Sequence, residues 1–172
     1  MKHPNRLPFE GVLTRLDIPS DSAPSGARGH RVLLTRAAAE EAIPTLLGMA
    51  VGFTADLDGH NPRQKCGLIN EAFIEGDELR VRGHIYGHDF PEICEAMSDQ
   101  ARELGMSYEM IECHVADMRA AVWTLTQVTF TGAAILLREK AAYKSTRVSL
   151  SASSERFNGR LSFEGEGLLV IG

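Results

Sequence analysis

The stretch GLINEAFIEGDELRVRGHIY, residues 67–86, constrains the fold of this chain more than any other. After Gly76-Asp77 apolar and polar residues alternate: Leu79, Val81 and Ile85 fall on one face, Arg80, Arg82 and His84 on the other. Period-two alternation around a Gly-containing turn is the pattern of a β-hairpin with one dry side and one wet side. The fold must therefore supply a core for the dry side, and that core is built on a sheet.

The flanking segments support the same architecture. Phe9 to Asp17 (FEGVLTRLD) reads as a strand, followed by the Ser-, Pro- and Gly-dense loop IPSDSAPSGARGH and a second apolar strand in HRVLLT. Thr35 is placed to cap a short helix, RAAAEEAI, that Pro44 ends or kinks. After the hairpin, Asp89 is placed to cap a helix with Pro91 in its first turn. Phe90, Ile93, Cys94, Met97, Ala101 and Leu104 recur at helical spacing, and Gly105 is placed to close it. SYEMIECHV and AAVWTLTQVTFTGAAIL then read as neighbouring antiparallel strands rich in β-branched and aromatic residues. Beyond Tyr143 the composition turns polar, Ser-rich and Gly-rich, so residues 144–172 are expected to form a tail, flexible in large part. The predicted fold is α+β: a mostly antiparallel β-barrel or sheet with a few surrounding helices, in one domain over residues 1–143.

Composition excludes several classes. A length of 172 residues, 44% hydrophobic, suits one good core rather than two large domains. The formal charge of −5, with Arg and Lys scattered, argues against a nucleic-acid binder, which needs a basic stripe for phosphates. No apolar run approaches the roughly 18 residues that span a bilayer, so no membrane partner and a soluble, intracellular chain are expected. Cys66, Cys94 and Cys113 are an odd set without a CxxC pair, which fits reduced thiols better than a disulfide framework.

The chemistry-bearing candidate is the serine in LGMSYEM. A serine hydroxyl attacks only when a base takes its proton and a third group orients that base. On residue type alone, a serine at the start of a strand is most often structural. A hydrolase elbow does not fit, because Gly105-Met106-Ser107 carries only the first glycine of G-x-S-x-G and stands between a helix and a strand in the wrong order. Among the histidines, His60 in DLDGHNPRQKCGLI is the strongest base, since it sits in a turn next to the hairpin; spacing does not exclude His84. Two metal sites are weaker alternatives. His84, His88 and Cys113-His114 offer zinc donors, but a strand boundary breaks the helical spacing and adjacent strand residues point to opposite sides. DLDGHN opens like a calcium loop, yet the twelfth position is Gly67 rather than glutamate. No cofactor is expected.

The ordered set DGHNPRQKCGLINEAFIEGDELRVRGHI, a helix, LGMSYEM, WTLTQVTF and TGAAILLREKAAY resembles the prohead maturation proteases of tailed bacteriophages, relatives of the herpesvirus capsid-assembly proteases. The resemblance covers roughly residues 9 to 143. It implies a herpesvirus-protease-like fold, with Ser107 as nucleophile and His60 as base. Where that family carries glutamate in a later strand, LTQVT offers Gln127, whose amide orients an imidazole but does not stabilise its charge. The resemblance thus leaves three outcomes: a slow enzyme, an acid supplied by Asp56, Asp58, Glu109 or Glu112, or an inactive capsid-assembly protein. It further implies a serine endopeptidase inside an immature capsid in the host bacterial cytoplasm. Scaffold and the major capsid protein would be its substrates, along with the protease itself, and homo-oligomers are expected. The segment Lys144 to Ser154 is a candidate for self-cleavage, and Arg102 a candidate for helping the oxyanion through its charge.

Overall fold

In the computed structural model, residues 3–151 are described. Eight strands form one sheet that curls into a half-barrel, with two α-helices against it. The strands are β1 (Leu7–Arg15), β2 (Arg31–Leu34), β3 (Ala50–Gly52), β4 (Lys65–Glu75), β5 (Glu78–Ile85), β6 (Leu104–Val115), β7 (Val122–Leu137) and β8 (Arg147–Leu150); the helices are α1 (Arg36–Leu46) and α2 (Pro91–Ser98). The sheet runs β2-β7-β3-β4-β5-β1-β8, and β6 pairs with β7. The architecture is α+β, as the alternation in the sequence requires.

The hairpin forms where expected, as β4 and β5 turning at Gly76, whose φ of 62° suits a residue without a Cβ. Leu79, Val81 and Ile85 are fully buried, and their face joins Phe9, Leu13, Ile69, Met106 and Phe130 in the core. Each such side chain removed from water stabilises the fold by about 1.5–3 kcal/mol. The wet face holds a charge ladder, with Arg82 between Glu10 and Glu71.

Several local expectations are corrected. Thr35 does cap α1, its hydroxyl accepting from the Ala38 amide at 3.2 Å, but the helix runs through Pro44 to Leu46. Proline frees an amide partner four residues back, which the last turn tolerates, and the Thr45 hydroxyl donates to the Ala42 carbonyl at 2.6 Å. Helix α2 is shorter than its periodicity promised. It ends at Ser98, and Leu104 and Gly105 belong to β6. Asp99 makes the break, accepting from the Ala101 and Arg102 amides in a turn. Asp89 caps nothing, its carboxylate instead accepting from the Asn5 side chain at 2.6 Å.

Residues 144–151, expected to belong to the tail, are part of the fold, and the rest of that segment lies outside the described residues. Tyr143 is buried with its hydroxyl on the Ile18 and Val32 carbonyls, Thr146 is fully buried, and Arg147–Leu150 pairs with β1 as β8. A short polar strand at a sheet edge has little hydrophobic signature, so composition alone misreads it. Four residues of the segment proposed for self-cleavage, Arg147–Leu150, are therefore built into the sheet; Ala152 to Ser154 lie outside the described residues. Among the described residues, no helix is long and apolar enough to cross a membrane.

Candidate active site

Strand β6 sorts its side chains by alternation. Leu104, Met106, Tyr108 and Met110 turn towards the core, with Tyr108 edge-on to Phe130. Ser107 and Glu109, two residues apart, share the opposite face and are partly exposed. Directly across the ladder stand Ala134, opposite Ser107, and Gly132, opposite Glu109. On the far side of β7, Gly52 of β3 pairs with Ala134. The floor beneath the two functional side chains is thus made of residues with little or no side chain.

His60 reaches this floor from the loop between β3 and β4. The loop is pinned on both sides of the histidine. Before it, the Thr54 hydroxyl accepts from the Asp58 amide at 3.0 Å and donates to the Asp58 carboxylate at 2.7 Å, while Leu57 is buried and its carbonyl accepts from the Leu137 amide at 2.7 Å. After it, the Asn61 side chain accepts from the Arg63 amide at 2.9 Å, and the Phe53 amide closes the loop on the Gln64 carbonyl at 3.3 Å. Leu57 takes a left-handed conformation at φ 54°, costing about 1 kcal/mol. The opening of DLDGHN is therefore a hydrogen-bonded turn.

Held this way, the imidazole bridges two residues. Its Nε2 is hydrogen-bonded to Ser107 Oγ, and its Nδ1 lies 2.9 Å from Glu109 Oε1. Lys65, the first residue of β4, places its ammonium 3.1 Å from the same Oε1 and 3.4 Å from Oε2. Partial burial works against ionisation of Glu109, but hydrogen bonds from His60 and Lys65 and the Lys65 charge outweigh it, holding the carboxyl below its ordinary range. The arrangement is nucleophile, base and orienting carboxylate in hydrogen-bond sequence, the order acyl transfer requires.

Gln127 is corrected as the third member. It is exposed on β7 opposite His114, seven residues from Ala134, which puts it roughly 20 Å along the strand from the serine. The carboxylate that meets His60 is instead that of Glu109, on the serine's own strand. Of the other acids considered, Asp58 is occupied with Thr54, and Glu112 sits at a bulge in a left-handed conformation and accepts from Thr129. The signal that could have found Glu109 was present: Ser-x-Glu on a strand places both side chains on one face. Arg102 lies outside α2 and pairs with Asp99 at 3.5 Å. His84 binds Asn70 at 2.9 Å and His114 binds Thr126 at 2.7 Å; among the described residues no three His, Cys, Asp or Glu cluster to hold a metal.

Between the His60 loop and α2 lies a cavity of about 450 Å³, lined among others by Phe53 and Leu57 from the loop and Ile93 and Ala96 from the helix. His60, Ser107 and Glu109 do not line it. The outer edge of β6 bears on access. The Met106 amide points away from β7 to Thr146 Oγ1 at 3.1 Å, and alternation aims the Tyr108 amide the same way. Among the described residues, no strand pairs with that edge.

In comparisons with known proteins, no family model matches the chain, and no curated protein matches it.

Proposed function

We propose that the protein is a serine endopeptidase working through an acyl-enzyme. The observation that carries this reading is His60 bridging Ser107 Oγ and Glu109 Oε1. In the forward step, His60 Nε2 takes the hydroxyl proton as Oγ attacks the scissile carbonyl carbon. The imidazolium then gives that proton to the departing amine as the C–N bond breaks, and water repeats the sequence to free the acid. Glu109 holds Nδ1–H and offsets the imidazolium charge. A peptide is the favoured substrate class, because β6 beyond Met106 has no strand partner on its outer edge among the described residues, and an extended segment can align there beside the nucleophile.

The biological setting follows from the resemblance to phage prohead proteases: cleavage of scaffold, capsid-protein extensions and the protease itself within an immature capsid. Confinement raises effective substrate concentration, so modest turnover suffices. The alternative, an inert capsid-assembly protein of the same fold, had Gln127 in place of the acid as its main support, and Glu109 beside His60 supports the active reading over it. The test is intact mass after prolonged incubation, wild type beside Ser107→Ala, at several concentrations. Fragments confined to the wild type are expected; two uncut proteins would count against self-cleavage.

A further inference from the structure

We propose that Lys65 is a positioning residue of this site: its ammonium grips both carboxylate oxygens of Glu109 and fixes Oε1 on the His60 ring. The inference rests on the serine-hydrolase reading and adds to it a residue outside the nucleophile–base–acid set.

Three observations support it. The contacts are bidentate in effect, 3.1 Å to Oε1 and 3.4 Å to Oε2, and Oε1 is also the atom that meets His60 Nδ1. The sheet clears a path for the pair. A Cβ on Gly52 would come 2.9 Å from the Gln64 carbonyl oxygen, 3.3 Å from Lys65 Cδ and 3.4 Å from its Nζ, and a Cβ on Gly132 would come 2.8 Å from Glu109 Oε2 and 3.1 Å from the Ala50 carbonyl oxygen. Two glycines of neighbouring strands thus leave room where Lys65 and Glu109 cross. Finally, Lys65 opens β4 directly after the His60 loop, so one stretch of chain carries both groups that grasp the carboxylate.

A glutamate on an open strand face has three free torsions, and a single hydrogen bond from an imidazole leaves it able to swing away. A second, charged donor removes that freedom. It also divides the carboxylate's charge between two cations, so the ion pair that orients His60 tempers the stabilisation of its protonated form. The titratable groups facing Glu109 are His60 from the loop and Lys65 from β4; β7 contributes Gly132 and β3 the Ala50 backbone.

The experiment measures labelling of Ser107 by a serine-directed fluorophosphonate in wild type, Lys65→Met, Lys65→Arg, Glu109→Gln and the Lys65→Met/Glu109→Gln double variant. It is paired with the NMR titration of the Glu109 carboxyl carbon in wild type and Lys65→Met. Lys65→Met is expected to slow labelling by roughly 5- to 50-fold and Lys65→Arg by less than about threefold, with the Lys65→Met effect vanishing in the Glu109→Gln background. The Glu109 midpoint is expected to rise by about half a pH unit or more in Lys65→Met. Labelling unchanged by Lys65→Met, or slowed equally with and without Glu109, overturns the proposal. A wild type that takes no label refutes the hydrolase reading instead, and the carboxyl titration then decides on Lys65: an unmoved midpoint refutes the grip, a raised one supports it. Circular dichroism verifies folding, and Lys65→Gln replaces Lys65→Met if that variant does not fold.

Discussion

Ser107 and Glu109 stand two residues apart on one face of β6, and His60 joins them, Nε2 to the serine hydroxyl and Nδ1 to the carboxylate at 2.9 Å. A strand needs no long-range accident to bring a nucleophile and its acid together, because its period of two does so. Only His60 arrives from elsewhere, on a loop pinned at both ends.

The geometry points to Glu109 where the resemblance points to Gln127. Glu109→Gln removes the charge opposite the imidazolium and should slow Ser107 acylation by roughly 10²- to 10⁴-fold. Gln127→Ala, on the exposed strand opposite His114, should change it by less than about twofold. Fluorophosphonate labelling rates for the two variants, side by side, check this; equal losses would return Gln127 to the site.

Gly132 offers a test that leaves the fold alone. A methyl group there meets the far end of the Glu109 side chain, 2.8 Å from Oε2, with the Ala50 carbonyl at 3.1 Å. Since the glutamate can move aside, Gly132→Ala should change stability by no more than about 1 kcal/mol in urea unfolding. Labelling should nevertheless fall about tenfold or more, because the acid no longer meets His60.

The thiols give a prediction about pH. Burial pushes Cys66 up to about 12 and Cys94 up to about 11, from 9.0. Both thiols stay protonated in the native protein at neutral pH, whereas Cys113 is exposed. Iodoacetamide should therefore modify Cys113 alone until the chain unfolds. Above 9.0 the unfolded chain releases thiol protons that the folded one retains, so stability should fall as pH rises from there towards 11 and 12. Denaturation midpoints at pH 8 and 10 test the sign; a Cys66→Ala/Cys94→Ala variant should lose the thiols' share of this fall and keep that of Tyr108 and Tyr143, whose hydroxyls burial also pushes up.

Residues past Tyr143 should prove part of the fold. Buried Thr146 accepts from the Met106 amide at 3.1 Å and donates to the Tyr143 carbonyl at 2.9 Å. Thr146→Val leaves the Met106 amide unmet, while the Tyr143 carbonyl keeps the Thr146 amide at 3.2 Å, and should cost about 1–3 kcal/mol. Truncation after Tyr143, which also removes β8, should cost more; unfolding curves that superimpose on wild type would show the segment to be dispensable.

What the sequence made legible follows the strength of each local signal. The hairpin face of Leu79, Val81 and Ile85 could be read because every residue obeyed one period, and the Thr35 cap because its chemistry is local. The meeting of His60 with Ser107 was anticipated from turn position and resemblance. Glu109 was one acid among four, since choosing it required knowing that β6 begins before the serine and stays regular for two residues beyond it. The end of α2 was missed for the converse reason: Ala101 and Leu104 keep a helical period that the Asp99 turn interrupts. Lys65 carried no signal at all, because its role depends on glycines in two other strands.

The most direct measurement of the central claim is peptide mapping by mass spectrometry after fluorophosphonate treatment of the wild type and His60→Ala. The account predicts one adduct, on Ser107, in the wild type and none in His60→Ala. No adduct on wild-type Ser107, or an adduct that persists unchanged without His60, would contradict it.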